Sequence, residues 1–514
     1  MASEKKTVSE VPSDNDTASM TVTNVGAHSD PQAGSSANVG LDVEKATTTS
    51  PGNTAAGGLQ WDGPDDPDNP MNWSAAMRQG QVLLVAALLL TVNLCATMYA
   101  PGTSLVMKEF DFDSEVVASL TVSVFVLGFA IGPLLWAPLS ELYGRLPIYA
   151  VSTAVFLAFI LGSAFATNLG EFMAFRFISG SAGAAGLAMS GGTLADVIPI
   201  SQRGRWMALF VLGPLIGPTI GPIMGGFIAQ RAGWRWVFRV MSIAIGVLSA
   251  GGVFLLRETY APVILRRREA RRRKERGEAK AVAAPTVGGE FRRCIVRPLK
   301  LLFLSPIVFA ISLYGAFCFG LLLLLFTTFS AVFMGQYAWS VEVSGLSYIG
   351  VGLGMISGLA VQAVVGDRMM RWLEARNGRT KPEDRLPLMA VTAPAIPIGM
   401  FWYGWSTYKQ AHWIVPIIGT FPVGIGITFF LTPSMLYLVD CFGAEAAASA
   451  LAANTLLRSI GGAFLPLAGP PLYRSLGLGW GNSLLGFLAV AMLPIPWVFF
   501  LYGEKIRLSR KIKL

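Results

Sequence analysis

Apolar runs of about twenty residues, long enough to cross a hydrocarbon core as helices, recur along the whole chain. They fall near 81–101, 117–138, 147–166, 171–194, 206–229 and 236–256, and again near 306–330, 344–365, 387–406, 412–438, 446–472 and 480–502. Six spans, a polar connection and six more give two halves of similar size, the pattern of a duplicated carrier. The predicted architecture is an all-α membrane protein of 12 transmembrane helices in two six-helix bundles, 79–258 and 301–504. A basic cytoplasmic loop, 259–300, joins them. A disordered N-terminal tail, 1–78, and a short C-terminal tail, 505–514, complete the chain.

Composition agrees. Of 514 residues, 53% are hydrophobic and 14% charged, and mean hydropathy is +0.54, so lipid must solvate much of the surface. The first 60 or so residues are rich in Ser, Thr, Ala, Gly and Asn, without apolar periodicity, and cannot bury enough surface to fold. The net charge of +9 does not point to nucleic acid, because the basic residues sit between spans. Lys108, Arg231, Arg235, Arg239, Lys409 and Arg474 lie on one set of loops, and Arg176 and Arg458 lie inside spans. Beyond the N-terminal tail, every other Lys and Arg lies on the opposite loops, which makes that side cytoplasmic and places both termini there. The run Arg266, Arg267, Arg268, Arg271, Arg272, Arg273, Lys274 and Arg276 reads as a helix against anionic lipid. Arg231, Arg235 and Arg239 stand beside Trp234 and Trp236, where they are expected to snorkel at an aromatic belt. Cys95, Cys294, Cys318 and Cys441 are widely separated, and His28 and His412 cannot complete a ligand set, so neither metal nor cofactor is expected.

Three motifs carry a family resemblance. Between spans two and three, Ala137-Pro138-Leu139-Ser140-Glu141-Leu142-Tyr143-Gly144-Arg145 forms a tight turn with an acid at one helix end and a base opposite. It resembles the loop signature of the major facilitator superfamily, with Glu141 where Asp is usual and Ala137 where Gly is usual. In the fourth span, Phe172, Arg176, Ser179, Gly180, Ala182 and Gly183 are similar to the superfamily's basic motif. The fifth span carries Gly213, Gly217, Gly221, Pro222, Gly225 and Gly226 in the spacing of its antiporter signature. Small residues four apart allow close helix contact, and Pro222 bends the helix so that one face can rock against a neighbour. Trp61-Asp62-Gly63-Pro64-Asp65-Asp66-Pro67-Asp68-Asn69-Pro70-Met71-Asn72-Trp73-Ser74 and Glu258-Thr259-Tyr260-Ala261-Pro262 narrow the resemblance to the fungal twelve-spanner drug:proton antiporters. That resemblance implies a major facilitator fold, alternating access and a proton-coupling role for Arg176. With no deep acid in the spans, Glu141 or Asp196 at the cytoplasmic ends, acting with Arg176, are the candidate proton carriers, and facilitated export without protons stays open; the acid and base of the turn make Glu141, Gly144 and Arg145 the expected gate.

A charge at membrane depth is costly and therefore usually functional. As the spans are drawn, no carboxylate falls in a middle third, and the deep ionic groups are Arg176 and Arg458, with Asn454 one turn before Arg458. A cavity with that field disfavours polyamines and favours a neutral, aromatic or weakly acidic compound. The expected lining is Arg176, Asn454, Arg458, Tyr99, Phe129, Tyr314 and Tyr437. An alternative for Arg458 is structural pairing with backbone carbonyls. The chain is read as a monomeric plasma-membrane exporter of xenobiotics or self-made toxin, with protons and lipid as its other partners and no enzymatic activity. Polyamine export, an importer or vacuolar carrier of a nutrient or organic acid, and a transporter-like sensor are the alternatives. No GxxxxGK[ST] loop is present to make ATP hydrolysis by this chain the motor.

Overall fold

The structure, a computed structural model, describes residues 60–277, 287–378 and 381–509. The described residues are helical almost throughout, as backbone satisfaction in lipid demands. Eleven stretches are long and apolar enough to cross a bilayer: Ala75–Glu109, Glu115–Tyr143, Arg145–Phe165, Leu169–Val197, Leu209–Ala232, Trp234–Leu255, Pro306–Tyr337, Val341–Arg376, Pro382–Tyr408, Ile414–Phe442 and Ala446–Arg507. The last, at 62 residues, is long enough for two passes. It reverses at Gly477, whose φ of 70° suits a residue without a Cβ. Tyr473 Oη donates to Asn482 Oδ1 at 2.9 Å, and a Cβ on Gly481 would lie 2.8 Å from the Tyr473 ring. A straight helix would hold those positions about 12 Å apart. The described chain therefore crosses twelve times, six in each half, and the spans below are numbered in that order.

Much of the sequence's fifth-span motif becomes legible as two rows on one helix. Gly213, Gly217, Gly221 and Gly225 recur every four residues and lie against the first span. A Cβ on the first three would stand 3.1 Å from Leu90 N, 2.7 Å from Asn93 Cβ and 3.0 Å from Thr97 Oγ1, and on Gly225 it would overlap the Met98 carbonyl. Thr219, Pro222 and Gly226 instead face the eighth span. Gly345 would place a Cβ 2.7 Å from the Pro222 carbonyl, Gly226 would place one 2.8 Å from the Val341 carbonyl, and Gly352 abuts Thr219. One row thus holds the first half together and the other joins it to the second half.

The two halves are also tied by ion pairs. Arg231 Nε meets Glu342 Oε2 at 3.2 Å, and Arg474 Nη2 meets Glu115 Oε1 at 3.3 Å. Both lie on the face opposite the basic loops, as does the contact of Arg235 and Trp234 with Glu109 within the first half. Arg239 lies over the rings of Trp236 and Phe165, at 5.2 and 5.5 Å.

On the basic face, residues expected in a disordered tail are folded. From Trp61 to Trp73 the chain forms a strap in which Asp66 accepts from the Asp62 and Asp68 backbone N–H groups, and the Asn72 amide donates to the Pro64 and Asp66 carbonyls. Asx side chains close such local turns without an apolar core. The strap sits on the basic helix Ala261–Glu275, where Arg268 meets Asp66 at 2.6 Å and Arg272 also pairs with Asp62. The tail reading therefore ends at the strap, and residues 1–59 lie outside the described chain. The C-terminal helix, Pro494–Ser509, likewise runs on past the expected boundary at 504.

Candidate functional site

The turn between spans two and three is built around one carboxylate. Gly144 has φ 105°, and a Cβ there would overlap Glu258. The Glu258 carboxylate accepts from Arg145 N at 2.8 Å and Leu146 N at 3.3 Å, capping the helix that begins at Arg145. An anion there satisfies otherwise unpaired N–H groups and meets the positive end of the helix dipole. The Arg145 guanidinium turns inward, donating to Asp196 Oδ2 at 3.3 Å and Ser140 Oγ at 2.9 Å, with the Tyr260 ring 5.1 Å away. Thr259 Oγ1 donates to Asp196 as well, at 3.2 Å. The expected gate residues Gly144 and Arg145 and the expected coupling acid Asp196 thus meet in one network. The Glu141 carbonyl borders it, accepting from Arg266 at 3.5 Å. Glu258 entered the sequence reading only as the first residue of the Glu258-Thr259-Tyr260-Ala261-Pro262 stretch, with no role of its own. The available signal was a lone acid between basic residues at the end of the sixth span.

Arg176 is 0% exposed and lies among carbonyls. Its guanidinium donates to Cys95 O at 2.9 Å, Ala96 O at 3.3 Å, Thr121 O at 3.4 Å and Val122 O at 3.4 Å. The first helix of span one ends at Thr97, so Cys95 and Ala96 belong to its last turn, where carbonyls lack intrahelical partners and a cation is favoured. Arg176 therefore caps a break inside the first span. Rings of Phe125, Tyr99 and Phe238 surround it at 4.6, 5.7 and 5.7 Å. Tyr99 bonds Thr121 at 3.1 Å, and Phe129 packs on Phe125.

Arg458 is placed quite differently. It is 8% exposed, with Phe319 5.1 Å away as the ring beneath it, and its guanidinium donates no hydrogen bond to any described residue. Asn454, 1% exposed, has an equally unpartnered Oδ1 lying 3.4 Å from where a Gly315 Cβ would be. Tyr314 and Phe430 form an edge-on pair beside it, with centroids 4.8 Å apart. The structural pairing with carbonyls considered for Arg458 belongs instead to Arg176. Tyr437 stands apart from this group, on the basic face, with its hydroxyl against Gly503. Glu383, ion-paired to Arg507, borders Gly503 too. Among the described residues, the carboxylates of the spans lie toward their ends, as Glu109, Glu115, Glu141, Glu171, Asp196 and Asp440 illustrate.

Two six-helix halves, contacts that join them across one face and a deep arginine, Arg458, without a described partner define a membrane carrier. The sequence profile of the Major Facilitator Superfamily matches residues 83–466, and the chain belongs to that family. It is 50% identical over 460 residues to MFS transporter fsa7 of a Fusarium species, covering 89% of this chain and 90% of that one. It is 48% identical over 460 residues to the Trichosetin biosynthesis cluster MFS transporter of Gibberella fujikuroi, with coverage of 89% and 90%. MFS-type transporter MFS19 of Alternaria alternata is 49% identical over 460 residues, with coverage of 88% and 94%. Among solved structures, the partially occluded inward-open xylose transporter XylE of E. coli shares the fold, with a TM-score of 0.64 at 17% identity over 83% of this chain and 98% of that one.

Proposed function

We propose that this transporter exports a neutral, aromatic or weakly acidic organic compound, a xenobiotic or a self-made secondary metabolite, by proton antiport across the plasma membrane. The observation that carries the reading is the similarity to a transporter named for a biosynthesis cluster, and the closed face gives the state from which cargo would be taken up. Arg231–Glu342, Arg474–Glu115 and the Gly226–Val341 contact all join the halves on the side away from the basic loops. With the basic loops in the cytosol, such a closure holds the outer side shut while cargo enters from within. Export then requires these contacts to part and the cytoplasmic ends to close.

The Arg145–Asp196–Glu258 network lies on the cytoplasmic face and is the natural latch for that exchange. We take Asp196 and Glu141 as the acids whose protonation biases the two arrangements, with Arg176, about 30 Å along the same helix from Asp196, holding the first span at the other end of the coupling set. Similarity to a transporter named for the trichosetin biosynthesis cluster supports a secondary metabolite as cargo. The location of carboxylates at span ends weighs against polyamines, whose ammonium groups need deep acids. The test is sensitivity of a deletion strain to a toxin panel, with efflux measured before and after collapse of the proton gradient. Sensitisation with gradient-dependent efflux is expected; unchanged sensitivity and gradient-independent flux would reject export and antiport respectively.

A further inference from the structure

We infer that Arg458 and Asn454 form a subsite for a planar oxyanion, a carboxylate, carried on an aromatic or otherwise apolar cargo. The inference rests on the transport reading and names the chemical class of the compound carried. Arg458 presents five N–H donors in a rigid fork, and its Nε is buried without a hydrogen-bond partner. A cation buried to this degree is unstable unless something pairs with it. The same chain shows how it satisfies a permanent arginine, because the guanidinium of Arg176 has four carbonyl acceptors. Arg458 has none of these and lies in a span with no described acid beside it, so its partner is something that comes and goes.

The neighbours define the shape of that partner. Asn454 lies four residues before Arg458 and so on the same helix face; its buried Oδ1 meets nothing, and turned about its last torsion the amide offers Nδ2–H donors to an anion instead. On the seventh span, Ser312, Gly315 and Phe319 fall on one stripe. Ser312 is 0% exposed and its hydroxyl is also unpartnered. Gly315 is where the seventh span approaches Phe430 and Asn454, since a Cβ there would be 3.0 Å from the Phe430 ring. The unpartnered groups of Arg458 and Asn454 therefore sit among Tyr314, Phe319 and Phe430, with Ser312 one turn before Gly315 on the same stripe. A guanidinium fork matches a two-oxygen anion held in one plane, and the aromatic rings accept the flat body attached to it. A single neutral carbonyl would meet part of a fork that needs four such acceptors at Arg176, and an ammonium would be repelled.

The test is equilibrium binding to the purified full-length protein in phosphatidylcholine nanodiscs, which contain no anionic lipid to fill the site. Three matched probes are compared: 1-naphthoate, 1-naphthylmethanol and 1-naphthylmethylamine. The naphthoate should bind at least about tenfold more tightly than the alcohol, and the amine most weakly. Arg458→Gln should abolish the preference, Arg458→Lys should retain part of it because a point charge replaces the fork, and Asn454→Leu should weaken all three probes. Equal or better binding of the amine, no saturable naphthoate binding at millimolar concentration, or an unchanged preference in Arg458→Gln overturns the inference. Binding needs no flux, so a preserved anion preference without gradient-driven export would refute the exporter reading while leaving this subsite standing.

Discussion

Glu258 Oε1 accepts the backbone N–H of Arg145 at 2.8 Å, so an acid at the end of the sixth span forms the N-cap of the third. The same carboxylate reaches Leu146 N and occupies the space that any Cβ on residue 144 would need. Removing it as Glu258→Ala should cost about 1–2 kcal/mol, through the lost cap and the lost charge at the helix start. Glu258→Gln, which keeps an acceptor, should cost about half as much. Thermal unfolding in detergent, followed on both variants, decides this; equal stability of Glu258→Ala and the parent chain would rule the cap out.

The two interior arginines should respond in opposite directions. Arg176→Met removes charge-assisted bonds to four carbonyls and should destabilise the protein by about 2 kcal/mol or more. Arg458→Met removes a buried charge that has no described partner and should leave the empty protein as stable or more so. Melting temperatures of the unliganded variants test the contrast, and a larger loss at Arg458 than at Arg176 would reverse the assignment.

Arg176→Ala should also abolish gradient-driven export if the residue takes part in coupling. Flux into vesicles, measured on protein still inserted and monodisperse, reads this directly. Flux at the parent rate in that variant would remove Arg176 from the coupling set.

The closed face makes a cross-linking prediction. Glu115 and Arg474 lie across the seam from each other, so Glu115→Cys with Arg474→Cys should be bridged by a short bifunctional reagent and should stop transport reversibly. Loss of the cross-link in the presence of cargo would report opening. Transport unimpaired by the bridge would show that this seam does not part.

The strap on the basic helix should be insensitive to pH over the physiological range. The Arg272 hydrogen bond, outweighing burial, holds the Asp62 carboxyl below its ordinary value of 3.8. Burial of Asp66 works to raise its carboxyl, but the bond from Arg268 and two backbone amides outweigh it and hold it below 3.8 as well. Lowered carboxyl pKa values stabilise the strap at any pH above 3.8, and that stabilisation is lost as pH falls below it. Hydrogen exchange of residues 61–73 should therefore be unchanged from pH 7 to pH 5 once corrected for intrinsic rates. Asp66→Asn should release the strap at neutral pH.

The helical spans and their count could be read from the sequence because lipid permits few alternatives to an apolar helix, and the reversal at Gly477 separates the last two as expected. Asp196 and Arg145 were both recognisable as candidates from their positions at span ends. The capping of Cys95 and Ala96 by Arg176 was not, since backbone carbonyls have no sequence signature and their availability depends on where the first helix breaks. The strap was hidden for a similar reason. Its composition is that of a disordered segment, and its order comes from Asp66 and Asn72 bonding to nearby backbone, together with arginines some 200 residues away. Tyr437 was grouped with Asn454 by residue type, whereas its helix carries it to the basic face beside Gly503.

The row from Gly213 to Gly225 seats the fifth span on the first with no room for a side chain between them. Whatever motion separates Gly226 from Val341 must carry both helices together, since sliding one past the other would drive backbone into backbone. A spectroscopic label on either helix should consequently trace the same trajectory through the cycle. In the proposed cycle the pair moves as one body.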